Sequence, residues 1–460
     1  MSKPLRTAAA LPFLLFALAG AAPDPAGRLR DAALEGDKVA WDIVEDLTTE
    51  VGPRLAGTEA EARARDWAVK RLKALGFRNV HVEGATMATW VRGAETAEIV
   101  APFPQRLVLA ALGGSGATPP EGLTAEVVGF DSLDDLKAAP ADAVRGRIVF
   151  VGHAMRPNQD GSGYGYYGPV RRSAPAVAAR KGAAAVVIRS LGTDYHRNPH
   201  TGLTTWGEVA PIPAAALSLP DAENLQRMLK RAPKVTMHLT LTPRFVGDTA
   251  TGNVVAEVPG TDPSAGTILI GGHLDSWDLG TGAIDDAAGV AITAAAAKAV
   301  MEAGRPRRTI RVIWFGDEET GGAGSKAYFA AHKGENVVFV AESDFGADRI
   351  WRFVPGFAPA GKPLADRIAA ALFPLGINRG TGEVEAGADL GAWVKAGVAG
   401  ADLSQDGTRY FDYHHTPDDT LDKVDPAQLR QNVAAWTAML WHVANAREDI
   451  ARVPAAPAAP

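Results

Sequence analysis

Residues 268–286 read Ile268-Leu-Ile-Gly-Gly-His273-Leu-Asp275-Ser-Trp-Asp-Leu-Gly-Thr-Gly-Ala-Ile-Asp285-Asp286. The first three residues are aliphatic, which favours a buried strand, and the run then changes abruptly to glycines, one histidine and several carboxylates. A buried strand that ends in this way carries polar side chains to one edge of a sheet. Histidine and carboxylate side chains are metal ligands, so the stretch predicts a metal site at the end of a strand.

Three other segments of the same block of sequence also place polar side chains after an apolar run or in a loop. These segments are Asp317-Glu318-Glu319, Glu342-Ser-Asp344 and the loop with His414-His415. Strand-like and helix-like runs alternate through the block, which predicts an α/β fold with a mixed, largely parallel sheet and helices on both faces. The carboxyl ends of the strands form the ligand crevice of such a sheet, so we expect these groups to meet. One histidine after a strand is more often structural; four such ends argue against that explanation.

The composition excludes several classes of protein and of metal site. The chain has 460 residues, 47% of them hydrophobic, and a formal net charge of −6. It has no basic patch typical of nucleic-acid binding or of a polybasic membrane surface. Because there is no cysteine, disulfides and thiolate ligands are excluded, and a transition metal has to be bound by histidine and carboxylate.

Residues 1–21 have the features of a secretory signal peptide. Lys3 and Arg6 precede an apolar run at 8–18, and small residues that fit a cleavage site follow it. The run is too short to span a membrane; an uncleaved anchor or a buried helix is the alternative. We therefore expect an exported bacterial protein, periplasmic or secreted, that has no membrane contact after cleavage.

Turn residues at Gly113-Gly-Ser-Gly116 and Pro119-Pro120 predict a domain boundary. We expect residues 22–120 to form the N-terminal part of a catalytic domain, 121–244 an inserted α/β domain, 245–448 the C-terminal part of the catalytic domain, and 449–460 a disordered tail. His196 and His200 lie in a loop of the insert that is rich in glycine and threonine, and a solvated loop explains them better than a ligand role.

The residue types fit a site for two metal ions. Such a site needs histidine and carboxylate ligands for each ion, a shared group, and a carboxylate left free to accept protons. Glu318 and Glu319 are adjacent after a strand and point in different directions, so one can bind metal while the other accepts the proton of a water molecule. Asp275 is placed to accept the second N–H of His273 and to fix its tautomer.

The motifs resemble those of the co-catalytic zinc exopeptidases of the aminopeptidase and glutamate carboxypeptidase family. The resemblance covers nearly the whole mature chain and rests on His273-Leu-Asp275, Asp285-Asp286-Ala-Ala-Gly289, Glu318-Glu319-Thr-Gly-Gly, Glu342-Ser-Asp344 and His415-Thr-Pro-Asp-Asp419. Residues 121–244 resemble a protease-associated domain. The resemblance also suggests a homodimer, although no surface for it can be recognised in the sequence.

The resemblance implies two zinc ions per chain and a role for each matching residue. The implied ligands are His273 and Asp344 for one ion, Glu319 and His415 for the other, and Asp285 as the bridge. Glu318 matches the general base, and a cis peptide bond is implied between Asp285 and Asp286. His415 is preferred to His414 because it directly precedes the Thr-x-x-Asp run, which leaves His414 as a substrate-facing or structural neighbour.

The implied activity is hydrolysis of the terminal peptide bond of dipeptides or short peptides, by an aminopeptidase or dipeptidase. A carboxypeptidase of the same family is the first alternative, and one specific for acidic residues would need arginines near the metals; the candidates are Arg349, Arg352, Arg379 and Arg409. A binding protein without catalysis or an aminoacyl cyclotransferase would also fit the fold.

Asp389, in a Gly-x-Asp stretch that the family shares, fits a helix N-cap or a substrate contact. Tyr410, Phe411 and Tyr413 fit a core cluster better than a pocket wall.

Overall fold

The computed structural model describes residues 24–450. The predicted signal peptide and the predicted tail beyond residue 450 therefore lie outside the described residues. Within them the chain forms two eight-stranded sheets. The strands are β1 Arg78–Val91, β2 Glu95–Ala101, β3 Gln105–Leu107, β4 Leu109–Ala111, β5 Leu123–Phe130, β6 Ile148–Val151, β7 Ala185–Arg189, β8 Ala214–Leu217, β9 Thr236–Leu241, β10 Arg244–Val258, β11 Thr267–His273, β12 Thr309–Phe315, β13 Val337–Glu342, β14 Ile350–Gly356, β15 Asn378–Arg379 and β16 Ala399–Gln405.

The helices precede, separate and follow the strands of the two sheets along the chain. They are α1 Pro25–Gly36, α2 Val39–Asp46, α3 Glu59–Ala74, α4 Leu133–Ala138, α5 Ser162–Tyr167, α6 Pro169–Arg180, α7 Leu219–Arg231, α8 Ala288–Glu302, α9 Ala323–His332, α10 Lys362–Leu372, α11 Gly387–Lys395, α12 Tyr410–Tyr413 and α13 Pro426–Asn445. Among the described residues, no helix combines the length and the apolar character that a membrane span requires.

The first sheet has the order β1-β10-β12-β11-β13-β16-β14-β15. Strand β11 pairs in parallel with β12 on one side and β13 on the other, and β13 pairs in parallel with β16. Strands β10 and β14 add antiparallel neighbours at the two sides of this parallel centre. The mixed α/β fold predicted from the sequence is confirmed, and the three parallel strands β12, β11 and β13 have their carboxyl ends at one edge.

Helices cover both faces of this sheet, which explains the continuous apolar run of β11. Ile268 and Ile270 belong to the core that contains α8 and α13, whereas Leu269 belongs to the core on the opposite face with Tyr328 of α9 and Trp393 of α11. Because successive side chains of a strand point to opposite faces, a strand covered on both sides has no polar alternation. All three β11 residues are fully buried.

The second sheet has the order β3-β2-β9-β5-β6-β7-β8-β4. Its strands β2 to β4 precede residue 121, so the boundary predicted from the turn residues does not coincide with the boundary between the sheets. The turn-rich residues 113–120 connect β4 to β5 within the second sheet. We propose residues 95–241 as the insert and call them the second-sheet unit; its identity as a protease-associated domain stays a prediction.

Candidate metal centre

The predicted polar groups come together at the carboxyl edge of the first sheet. His273 is the last residue of β11, Glu319 follows β12, and Asp344 follows β13. These three strands are neighbours and run in parallel, so their ends lie side by side. Asp285 reaches the same place from the irregular turn Ala283–Ala287 that leads into α8, and His415 follows the short helix α12.

The carboxylate of Asp285 lies between two pairs of side chains. Its Oδ1 lies 3.1 Å from His273 Nε2, which is also 3.4 Å from Asp344 Oδ1. Its Oδ2 lies 3.1 Å from His415 Nε2, which is 2.9 Å from Glu319 Oε2, and 3.3 Å from His414 Nε2. One carboxylate thus faces an imidazole and a second carboxylate on each side, which is the arrangement that a group shared by two cations requires.

Two buried oxygen atoms of this cluster accept no hydrogen bond. They are Asp285 Oδ2 and Glu319 Oε1, and neither residue is more than 7% exposed. A buried carboxylate oxygen without a donor is costly, so such groups are normally paired or bound to a cation. Among the described residues, His273, Asp285 and Glu319 have ligand atoms close enough to bind one ion. The side chains therefore fit divalent cations held by nitrogen and oxygen.

The electrostatics of the cluster agree with this fit. Burial alone would raise the pKa of Asp285, but His414, His273 and His415 hold it well below its usual value. Burial raises the pKa of Glu319 to about 7. Burial lowers the pKa of His415, but the carboxylates of Glu319 and Asp285 outweigh it and raise the pKa to about 9. Without cations, His415 thus retains a proton beside the Glu319 and Asp285 carboxylates, and a bound metal would displace it.

Asp286 has a different environment from Asp285 although the two residues are adjacent. Its Oδ2 accepts a hydrogen bond from the His273 N–H at 3.1 Å, and its Oδ1 accepts one from the Gly289 N–H at 2.9 Å. A Cβ atom at Gly289 would lie 1.8 Å from the carbonyl oxygen of Ser343, so only glycine fits this start of α8. The Asp286 carboxylate thus joins the end of β11 to the start of α8 and has both oxygens engaged. The peptide bond between Asp285 and Asp286 is cis, as the resemblance implies.

The role predicted for the Asp275 carboxylate needs a correction. His273 Nδ1 lies 3.0 Å from the main-chain carbonyl oxygen of Asp275, whereas the carboxylate Oδ1 is 3.7 Å away. The carbonyl therefore fixes the tautomer, because the chain turns back at this point. The carboxylate instead accepts hydrogen bonds from the N–H groups of Glu318, at 3.2 Å, and Glu319, at 3.3 Å. Asp275 thus orients the Glu318–Glu319 pair through their main chain.

Glu318 is half-buried in the wall of a cavity of about 260 Å³. Burial raises its pKa, and Asp344 and Glu319 add to the increase, so the pKa lies well above the usual value although His273 opposes the shift. The cavity is lined by Tyr164, Arg171, Asp285, Glu318, Glu319, Asp344, Phe345, Tyr410, Phe411, His414 and His415. Tyr410 and Phe411 are buried, as expected for a core cluster, and they also form part of the cavity wall.

Four residues of the second-sheet unit reach this cluster, and none of them was predicted from the sequence. Tyr164 and Arg171 line the cavity, and His200 and Thr201 contact the His414–His415 turn. The solvated-loop interpretation holds for the exposed His196 but is wrong for His200, which is fully buried. No local pattern marks these residues, since His200 and His414 are 214 positions apart.

The remaining candidates lie elsewhere. None of the four arginines predicted from the carboxypeptidase alternative lines the cavity; Arg409, for example, pairs with Asp348. The N-cap prediction for Asp389 is wrong, because α11 begins at Gly387 and the N–H groups of Asp389 and Leu390 both donate to the Glu342 carboxylate. That carboxylate occupies the helix start, and burial raises the pKa of Asp389 to about 7.

A mixed sheet covered by helices, with histidine and carboxylate side chains gathered at its carboxyl edge, is a type of site that metal-dependent hydrolases use. The family model for Peptidase family M28 matches residues 253–440, a range that contains every residue of the predicted site. Carboxypeptidase Q from Bos taurus is 34% identical over 415 residues, which cover 88% of this chain and 85% of that protein. Carboxypeptidase Q from Rattus norvegicus is 36% identical with the same coverage. The chain belongs to peptidase family M28 and is a metallopeptidase.

Solved structures agree with this assignment. The crystal structure of a peptidase M28 precursor from Shewanella amazonensis SB2B has 44% sequence identity and a TM-score of 0.91, and the match covers 94% of this chain and 98% of that one. An aminopeptidase from Aneurinibacillus sp. strain AM-1 has a TM-score of 0.62 at 21% identity, with 92% and 97% of the two chains covered, and this likeness shows the fold alone.

Proposed function

We propose that the protein is a di-zinc exopeptidase that hydrolyses the terminal peptide bond of dipeptides or short peptides, with aminopeptidase or dipeptidase specificity. The observation that carries the proposal is the Asp285 carboxylate, whose two oxygens each lie 3.1 Å from a different imidazole. Zinc is the default ion for a set of imidazole and carboxylate ligands. A zinc aminopeptidase from Bacillus subtilis has the same fold.

In this proposal each ion has one imidazole and one carboxylate of its own. His273 and Asp344 would hold the first ion, His415 and Glu319 would hold the second, and Asp285 would be shared between the two. When bound, the two ions supply an activated water molecule and polarise the scissile carbonyl group. Asp286 has both oxygens engaged by main-chain N–H groups, so it supports the centre and does not bind an ion.

Glu318 is the general base of the proposal. It lies in the cavity wall, it is absent from the ligand pairs, and its raised pKa suits a group that accepts a proton and then returns it. It accepts the proton of the attacking water and donates it to the leaving amine. Asp275 contributes by positioning, because its carboxylate accepts hydrogen bonds from the N–H groups of both adjacent glutamates.

The cavity supports a short substrate. Its volume of about 260 Å³ is at the lower end of the range for small-molecule sites, which is roughly 300–1,000 Å³. Aromatic side chains of Phe345, Tyr410 and Phe411 line it and reduce the access of water. A peptide of one or two residues beyond the scissile bond fits this space, and Glu318 also lines a second cavity of about 1010 Å³ that has room for a longer chain.

A carboxypeptidase is the second candidate, and Arg171 supports it. The Arg171 side chain is 6% exposed, lines the cavity and has a buried Nε without a hydrogen-bond partner. Among residues 24–450, no carboxylate lies within ion-pair distance of it. A buried guanidinium of this kind is suited to bind the terminal carboxylate of a peptide. The relatives with 34–36% identity are carboxypeptidases by name.

Export is part of the same proposal and rests on the sequence of residues 1–21. The expected location is the periplasm or the medium of a bacterium. Assembly as a homodimer is a further expectation that follows from the family resemblance.

Peptides blocked at either end test the specificity. The purified protein is analysed for zinc and then incubated with a free dipeptide, its N-acetylated form and its C-amidated form, and the products are identified by mass spectrometry. An aminopeptidase cleaves the amide but not the acetylated peptide, a carboxypeptidase does the reverse, and a dipeptidase cleaves only the free peptide. A two-zinc protein that cleaves none of the three contradicts the proposal.

A further inference from the structure

His200 connects the second-sheet unit to the metal centre. It lies between β7 and β8, and its Nδ1 donates a hydrogen bond of 2.8 Å to the main-chain carbonyl oxygen of His414. The next residue, Thr201, donates its N–H to the carbonyl oxygen of His415 at 3.0 Å. The Thr201 carbonyl oxygen lies 3.3 Å from His415 Nδ1. Two consecutive residues of one unit are therefore paired with two consecutive residues of the other.

The conformation of His415 depends on external contacts. Its φ of 58° is left-handed, a region that residues other than glycine seldom adopt unless their surroundings hold them there. Its imidazole must also direct Nε2 at Asp285 and Glu319. His415 Nδ1 lies 3.3 Å from the Thr201 carbonyl oxygen, an acceptor, and 3.3 Å from Arg171 Nη1, a donor, while Nε2 is the ring nitrogen that faces the carboxylates. The His200–Thr201 pair thus holds the main chain of the His414–His415 turn.

His200 does not act as a ligand itself. The rings of His200, His414 and His415 lie close enough to bind an ion. However, the Nδ1 proton of His200 is donated to a carbonyl, and its Nε2 faces Arg171 Nη1 at 3.2 Å and the Tyr164 hydroxyl at 3.3 Å. Because Arg171 donates to Nε2 and Nδ1 carries the donated proton, neither ring nitrogen of His200 has a lone pair left for a cation. Any effect of His200 on the metal therefore passes through His415.

We propose that His200 is a positioning residue for the second metal ion, which holds the His414–His415 turn so that His415 Nε2 faces Asp285 and Glu319. This role rests on the two-metal centre proposed above. It also gives the second-sheet unit a function, because two consecutive residues of that unit hold the turn that carries His415. The first ion is supported from within the first sheet, where the Asp275 carbonyl fixes His273.

Substitutions at His200 separate positioning from simple packing. His200→Leu removes the hydrogen bond at similar volume, and His200→Asn keeps an N–H donor near the position of Nδ1. His196→Leu is the matched control, since the His196 side chain is 73% exposed on the same connection. Zinc binding is measured with a chelator as competitor, and the absorption spectrum of the cobalt(II) form reports the ligands of each ion.

We expect His200→Leu to bind the second ion about 10- to 100-fold more weakly and the first ion as the wild type does, because loss of a residue that orients a ligand typically has this effect. His200→Asn restores most of the affinity, and His196→Leu matches the wild type. Should the leucine variant fail to fold, His200→Phe replaces it, because that ring can keep the stacking on His415, whose centroid is 5.0 Å away.

Two results overturn the inference. One is normal binding of both ions by the leucine and phenylalanine variants. The other is equal weakening of both ions in every His200 variant, including asparagine, since a general structural effect acts on both sites. A wild-type protein that binds fewer than two ions refutes the two-metal centre itself and, with it, this role. The zinc content of the wild-type protein thus tests the two-metal centre, and the His200 variants test the positioning role separately.

Discussion

Glu318 and Glu319 are adjacent, and the structure predicts that substitutions at the two positions fail in different ways. Glu318→Gln keeps the size of the side chain and removes only the proton acceptor. The main-chain hydrogen bond from its N–H to Asp275 remains, and none of the five ligand positions changes. We expect the zinc content to stay at two ions per chain and the catalytic rate to fall.

The size of the fall follows from the role of the residue. A positioned general base contributes about 10²- to 10⁴-fold to a rate, which corresponds to about 2.7–5.4 kcal/mol of activation free energy. Glu319→Gln is the matched comparison. Glu319 Oε2 lies 2.9 Å from His415 Nε2, and an amide is a weaker ligand than a carboxylate, so the second ion is lost more readily.

The assay combines kcat/KM for a free dipeptide with zinc analysis after gel filtration. The expected pattern is a slow enzyme with two ions for Glu318→Gln, and an enzyme depleted of one ion for Glu319→Gln. Excess zinc restores activity to the second variant but not to the first. The reasoning is refuted if Glu318→Gln keeps more than about a tenth of the wild-type kcat/KM, or if it loses zinc as the Glu319 variant does.

Three further outcomes are expected. Arg54 is fully buried and donates to four main-chain carbonyls, those of Gly52 and of Leu274, Thr281 and Gly282 in the segment after β11. Arg54→Met should therefore lower the free energy of unfolding by at least about 3 kcal/mol, measured with urea; a change below about 1 kcal/mol contradicts this. Burial raises the pKa values of Glu319, Asp389 and Asp419 to about 7 and lowers those of His200 and His414 well below the usual value. In the folded state the three carboxyl groups bind more protons than in the unfolded state, and the two histidines bind fewer. On balance the melting temperature of the EDTA-treated protein should fall as the pH rises from about 4.5 to 7; a constant or rising value is inconsistent with this balance. Arg171→Met should lower kcat/KM about 10- to 100-fold for peptides with a free C-terminal carboxylate and change it little for the corresponding amides. Arg172→Met is the control. An equal loss for both substrates excludes binding of the terminal carboxylate by Arg171.

The sequence was informative wherever function depends on residues that lie close together in the chain. The run from Ile268 to Asp286 shows a strand, its end and its polar groups within 19 consecutive residues. The apolar runs at β11, β12 and β13 marked the neighbouring strands, and the rule for strand ends placed their polar groups at one edge. These signals were sufficient for the mixed α/β fold and for the meeting of the polar groups that follow β11, β12 and β13, whereas the choice of the five ligands came from the family resemblance.

Errors arose where the answer depended on the path of the chain between motifs. The turn residues near Pro119 and Pro120 predicted a domain boundary, yet β2, β3 and β4 had already joined the second sheet. A turn signal reports local geometry, and it is the same for a link within a sheet and a link between domains. Similarly, the proximity of Asp275 to His273 was correct, but only the backbone course shows that the carbonyl rather than the carboxylate accepts the hydrogen bond.

By itself the sequence determined strand β11, the polar segment that follows it, and which carboxylates and imidazoles are available to bind ions. These features depend on strand periodicity and ligand chemistry, which are properties of short segments. Only the tertiary structure decided that His200, Thr201 and Arg171 of the second-sheet unit contact that centre. Contacts between residues some 200 positions apart depend on how two sheets pack against each other. No local pattern encodes that packing, which is why the support of His415 appeared only in the fold.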